Sequence, residues 1–318
     1  MSKLYIYYFV GAPSIAIIGG RLAIANVWPS TNMTTVLPLS DVNCRRVIPP
    51  LPVAGISRHS SAMWMNKVLV NCGGMIPDSP TTNTCYSLDT SNKSSNWEVA
   101  NFTLTLALNF HTMTSLSNGS ITVIGGNDRD WSFEIETWLL PAEEGASQWK
   151  QGPNLITRRR QHCSTLLTDS SVLVIGGISN DGGLRDLKSV ENVNFNTNTA
   201  TSLPDMNVAR RELACTTVNT ITGTVAIVAG HYRGSTVETL LLSGSPSTWT
   251  LLQSLPTNNL WSSGTLVTLP DNTGVRVIGG DWYKKIIYEM NPVPGNWSIV
   301  PDMEIGRYEH TTVLLPSC

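Results

Sequence analysis

Residues 172–177 read VLVIGG. The same shape, an apolar run closed by two small residues, recurs at 14–20 (SIAIIGG), 68–74 (VLVNCGG), 121–126 (ITVIGG), 225–230 (VAIVAG) and 275–280 (VRVIGG). The closing pairs begin at Gly19, Gly73, Gly125, Gly176, Ala229 and Gly279, and subtraction gives intervals of 54, 52, 51, 53 and 50 residues. A fixed period of this size marks one supersecondary unit repeated, each copy burying its apolar faces only against its neighbours. Short runs of Val and Ile suit strands covered on both faces. Glycine at the end of the run tolerates positive φ and lets a neighbouring group come close.

Other residues keep the beat. About fourteen residues before the pair stand His59 (HSSA), His111 (HTMT) and His162 (HCST); Ala214 and Ser263 fill that slot in later repeats, and His310 opens it again at the C-terminus with HTTVLLP. After the pair comes a strand with Glu136, Glu191, Glu238 or Glu289, then Trp97, Trp149, Trp249 or Trp297 and an exit containing proline; the fourth repeat has Thr199 near the Trp slot. The combination resembles the kelch repeat, over essentially the whole chain, although the tyrosine that family places before the glycine pair is missing. The resemblance implies an all-β fold, a six-bladed β-propeller of four-stranded antiparallel blades. One domain then spans residues 1–318, with blade boundaries near 56, 108, 159, 211 and 260 and a C-terminal strand at 310–316 closing the ring. A fragment of a seven-bladed ring is the alternative.

Composition narrows the function. Charged residues are 14% of the chain, the formal net charge is -2 and the pI about 6.2, so no global field favours nucleic acid or an anionic membrane. Leu4 to Ile18 reads as a signal-peptide core or equally as two strands about a Gly-Ala-Pro-Ser turn. Sequons stand at Asn32, Asn92, Asn101, Asn118 and Asn296, about as many as a chain this rich in Asn, Ser and Thr produces by chance. Low charge with abundant Ser, Thr and Asn points to an extracellular setting, with the cytoplasm as alternative. Cys72 and Cys85 flank one short connection and form the disulfide candidate, whereas Cys163 and Cys215 only occupy matching places in successive repeats.

Let a, b, c and d be the strands of a blade from the inside outward, b ending at the small pair. Alternating direction puts the b–c and d–a connections on one face and the short a–b and c–d turns on the other. The d–a segments carry Arg58, Arg158, Arg159, Arg160, Arg210, Arg211 and Trp261, and the last carries Arg307 and Tyr308. The b–c segments carry Asp128, Arg129 and Trp131, then Arg185, then His231, Tyr232 and Arg233, then Trp282 and Tyr283. Charged and aromatic loops on a rigid scaffold are where binding concentrates. The expected function is a noncatalytic module that uses this face to hold a protein partner with an acidic or carboxylate-bearing surface. The triplet Arg158 to Arg160, with Arg210 and Arg211, is the expected anion site, and reversing the triplet to Glu is expected to abolish binding without unfolding. The alternative is a carbohydrate or small-molecule site, binding or enzymatic, at the channel mouth.

Other chemistries fit less well. Histidines that recur with the scaffold read as strand-start hydrogen-bonding residues rather than as metal ligands. The copper radical oxidases that share the kelch fold need two Tyr, two His and a Cys, and only His231 lies off the periodic set. The polar set of the kelch sialic acid mutarotases and the spaced Glu, Asp and His set of the nitrile-specifier proteins are not evident. No cofactor is expected, and no G-x-S-x-G elbow, phosphate-binding glycine loop or CxxC pair occurs.

Overall fold

The computed structural model describes residues 14–18, 21–22, 31, 33–38, 48–53, 55–77, 81–92, 94–232, 234–243, 248–256, 264–269, 274–280, 285–291, 293–300, 303 and 306–315. They form five four-stranded antiparallel blades and one three-stranded sheet. In the three-stranded sheet, Ser14–Ile18 lies between Thr311–Leu315 and Thr34–Pro38, so strand a comes from the opposite end of the chain to b and c. Blade 2 is Ser60–Trp64, Val68–Cys72, Thr84–Asp89 and Glu98–Thr103. Blade 3 is Thr112–Ser115, Ile121–Ile124, Thr137–Leu140 and Lys150–Gln151, and blade 4 is Cys163–Thr168, Ser171–Ile175, Val190–Asn194 and Thr199–Leu203. Blade 5 is Ala214–Thr220, Gly223–His231, Gly234–Leu241 and Thr250–Leu252, and blade 6 is Thr265–Thr268, Val275–Ile278, Ile287–Met290 and Trp297–Val300. The inner strands touch one another in cyclic order, Thr311–Leu315 closing the ring between blades 6 and 2.

The apolar runs are continuous rather than alternating because each b strand is covered on both sides. In blade 4, Leu173 and Ile175 pack with Cys215, Ala226 and Val228 of blade 5, while Val172 and Val174 pack with Leu116 and Ile124 of blade 3. Successive side chains point to opposite faces of a strand, so one run feeds two seams. The glycine pairs serve the same close approach. A Cβ on Gly125 (φ 54°) would sit 2.7 Å from the Arg159 carbonyl and 3.1 Å from the His162 ring of the next blade, and one on Gly126 (φ 96°) 2.7 Å from Cβ of His111 in its own blade. Pair and His slot are two sides of one contact.

Register corrects the repeat alignment. Cys163 faces Ile175 in blade 4, and Ala214 faces Ala229 in blade 5. Leu213, not Ala214, therefore holds the His slot, and Gly230 with His231, not Ala229 with Gly230, holds the place of the pair. Thr265 facing Ile278 likewise puts Gly264, not Ser263, in the slot of blade 6. Only Glu191 and Glu238 are equivalent; Glu136 lies two places earlier in register, and Glu289 pairs with Arg276 on the neighbouring strand. The tryptophans tie blades together: Nε1 of Trp97 donates to the Pro49 carbonyl and that of Trp249 to the Pro204 carbonyl, each on the segment leaving the preceding sheet.

Cys72 and Cys85 are bonded, directly opposite on strands b and c of blade 2. A second disulfide, Cys163 to Cys215, joins the inner strands of blades 4 and 5 and was not expected. Its 52-residue separation spans a whole repeat, so the link restrains the unfolded chain strongly. Replacing both of these cysteines with serine is expected to lower the free energy of unfolding by about 2–4 kcal/mol, read as a shifted denaturant midpoint; an unchanged midpoint would refute it. Two disulfides also favour an oxidising, extracellular setting. Among the described residues no helix is long and apolar enough to cross a membrane.

Candidate functional site

Isolated bridges join Ser57 to Met75, Asn109 to Asn127, Arg160 to Ile178 and Arg210 to Leu187, so the d–a and b–c connections lie side by side on one face, as the strand alternation requires. At its centre five residues that stand just before a His slot adopt a left-handed conformation: Arg58, Phe110, Gln161, Glu212 and Glu309 have φ between 50° and 59°. Non-glycine residues pay for that conformation, and such strain concentrates at functional sites. Here it turns each peptide along the rim. The amide of Arg58 donates to the Glu309 carbonyl, Phe110 to Arg58, Gln161 to Phe110 and Glu212 to Gln161. The five side chains thereby edge a cavity of about 190 Å³ at the end of the central channel.

Behind this rim stand the histidines. Nε2 of His59 is 3.0 Å from the Ile18 carbonyl of the preceding sheet, and Nε2 of His162 is 2.9 Å from Oγ1 of Thr112. Burial holds their basicity down, to a pKa of about 4 for His59, about 3 for His111 and His310, and well below the usual value for His162. They are neutral inter-blade struts, and no group of three or more His, Cys, Asp or Glu suited to a metal occurs among the described residues.

The expected arginine face divides in two. Arg159 and Arg210 are fully buried. The Arg159 guanidinium bonds Glu191 and the carbonyls of Gly176 and Ser189; Arg210 bonds Glu238 at 2.7 Å and the carbonyls of Gly230 and Thr236. Arg307 is also buried and donates to the Met33 carbonyl, and Tyr308 is buried. The three arginines are corrected from ligand residues to blade struts, because a guanidinium with no solvent access and internal acceptors has nothing to offer a partner, and Tyr308 exposes too little surface to meet one. Reversal of the whole triplet would therefore place a carboxylate at Arg159 inside the fold and confound binding with unfolding.

The exposed cations are mostly answered within the face. Arg158 pairs with Asp181 at 3.1 Å, Arg211 with Asp186 at 2.8 Å while stacking on Tyr232, and Arg58 with Glu309 at 3.2 Å while stacking on Phe110. Arg185 bonds the Asp181 carbonyl. Asp128 accepts the amides of Asp130 and Ser132, shaping the loop that carries exposed Arg129 and Trp131. His231 Nδ1 lies 3.0 Å from the Tyr232 carbonyl. Arg233, Trp261, Trp282 and Tyr283 lie outside the described residues.

Arg160 differs. It makes no ion pair among the described residues; its Nη1 meets Asn127 Oδ1 at 3.2 Å, and its guanidinium lies 4.6 Å from the Phe133 ring centre, 5.2 Å from Trp131 and 5.7 Å from Phe110. Glu212 is its counterpart on the rim. One carboxylate oxygen accepts Gln161 Nε2 at 2.5 Å, and the other is buried with no hydrogen-bond partner among the described residues. Burial, reinforced by Glu309 and opposed by Arg211 and Arg58, raises its pKa to about 7. The rim thus carries a carboxyl whose protonation changes near neutral pH, and Arg160, on the segment that leads to it, is a cation held by aromatic rings. Phe110, Gln161, Glu212 and Glu309 were not singled out from sequence; the available signal was their shared place before the His slot.

Ring closure by blades of antiparallel strands, with the connections gathered over a central channel, makes the chain a β-propeller. A solved structure titled "Structure of YjhT" superposes with a TM-score of 0.66 at 13% identity, covering 84% of this chain and 89% of that one, a likeness of fold. No family model matches the sequence, and no curated protein does.

Proposed function

We propose that the protein binds a small oxyanion-bearing ligand, a carboxylate foremost, at the channel mouth. The observation that carries this reading is Arg160, a cation with no ion pair among the described residues, whose guanidinium lies 5.7 Å from the ring centre of Phe110 on the edge of the cavity. Guanidinium favours planar oxyanions. A cavity of about 190 Å³ is below the roughly 300–1,000 Å³ of drug-sized sites, which argues for a small occupant. Neutralisation of Arg58, Arg158 and Arg211 by Glu309, Asp181 and Asp186 weighs against a broad acidic protein surface as the ligand. Six inter-sheet seams among the described residues support the finer reading of a six-bladed ring, the three-stranded sheet being the sixth blade.

Calorimetric titration with glucuronate, galacturonate and succinate tests the reading. Arg160→Ala is expected to weaken binding of the responsive acid at least about tenfold, while Arg158→Ala, whose charge Asp181 already answers, stays within about twofold. Absence of saturable binding, or equal losses in the two variants, would sink it. A protein partner is the second reading, favoured by exposed Trp131, Ile156 and Leu184 on this face. It predicts that Leu184→Asp abolishes capture of the partner and leaves titration with the acids unchanged.

A further inference from the structure

We infer that the propeller is N-glycosylated on the face opposite the channel mouth, at Asn92, Asn118 and Asn296, with Asn101 on the outer edge. Asn118 lies in the a–b turn of blade 3, and Asn92 and Asn296 lie in the c–d turns of blades 2 and 6. Strand alternation places all three turns away from the b–c and d–a connections. Asn101 is in Glu98–Thr103, the outermost strand of blade 2. All four asparagines are exposed; Asn32 lies outside the described residues.

Three of the five sequons lie in turns of the face opposite the mouth, Asn101 lies on an outer strand, and Asn32 falls in the b–c connection between Ser14–Ile18 and Thr34–Pro38. Local geometry agrees: Oδ1 of Asn92 accepts the Ser94 amide at 3.0 Å and Oδ1 of Asn118 the Ser120 amide at 2.9 Å, so the carbonyl oxygen shapes the turn and Nδ2 has no partner among the described residues. Nδ2 is the atom a glycan needs. In the transfer it attacks the anomeric carbon of a lipid-pyrophosphate-linked oligosaccharide; the N–C bond forms, the C–O bond to phosphate breaks, the amide proton is lost and the lipid pyrophosphate departs. The two disulfides favour an oxidising, extracellular route, along which a chain can meet that donor.

The inference is independent of what the mouth binds. Chain isolated from the cells that make it is treated with peptide N-glycosidase in heavy-oxygen water, which converts each occupied asparagine to a labelled aspartate, and its peptides are mapped by mass. Label at Asn92, Asn118 and Asn296, with an intact mass that drops by one oligosaccharide per labelled site, is the expected result. Label at fewer than two of these three overturns it.

Discussion

Acidification from about pH 7 to about pH 4 is expected to unfold the protein, the free energy of unfolding falling by about 4 kcal/mol per pH unit near pH 5.5. His59, His111, His162 and His310 are neutral in the fold because burial lowers their pKa, to about 4, about 3, well below the usual value and about 3 respectively. In the unfolded chain they titrate near 6.5, so between about pH 6.5 and about pH 4 the unfolded state binds protons that the folded state refuses. Stability contributed this way is complete above about 6.5 and lost as pH falls towards the folded pKa values. Glu212 acts with the opposite sign: its carboxyl is raised to about 7, so the fold holds a proton the unfolded chain lacks, and acidification through that range is stabilising. About three net protons remain, each worth about 1.4 kcal/mol per pH unit. Against a usual total of about 5–15 kcal/mol, collapse falls near pH 4–5. Tryptophan fluorescence followed against pH reads the transition. His111→Leu, which copies the Leu213 of blade 5, should flatten the slope by about 1.4 kcal/mol per pH unit. A chain folded at about pH 3 would show that the struts carry charge after all.

How much of this could be read beforehand depends on whether the determinant is local. The glycine pairs were legible because positive φ and sub-contact approach restrict Gly125 and Gly126 by themselves, whatever the rest of the chain does. Cys72 and Cys85 were legible because one hairpin brings them opposite. Cys163 and Cys215 were not, since they meet only when two inner strands lie side by side across a seam. The rim was hidden for another reason. Its members share a backbone conformation and a hydrogen-bond circuit but no residue type, so Arg58 was noticed for its charge while Phe110, Gln161, Glu212 and Glu309 passed as loop residues. Arg159 and Arg210 misled in the reverse direction. Their positions in connections suggested solvent, whereas each is claimed by a glutamate some thirty residues later on strand c of the same blade.

That pairing predicts the second large effect: Arg210→Leu alone is expected to cost about 3–5 kcal/mol, because it strands the Glu238 carboxylate in the interior. Glu238 is fully buried and also accepts the amides of Asn207 and Val208, so it stays in place and must ionise or take up a proton without its strongest donor. The ring itself shows what a tolerated replacement looks like. In blade 3 the residue at the Arg210 position is Leu108, and the residue at the Glu238 register is Trp138; both belong to the apolar cluster between blades 2 and 3. Blade 2 does the same with Ile56 and Tyr86, which pack in the cluster on its other side. In blades 2 to 5 the slot therefore holds either a complete ion pair or a complete apolar pair, whereas the three-stranded sheet has Arg307 with Thr35 at the glutamate register and its guanidinium on the Met33 carbonyl. Combining Arg210→Leu with Glu238→Trp should recover more than about half of the single-variant loss despite forfeiting the two amide contacts. Urea titrations of the three variants decide it. A double variant no more stable than Arg210→Leu would mean that the guanidinium's bonds to the Gly230 and Thr236 carbonyls, rather than its charge opposite Glu238, hold the blade.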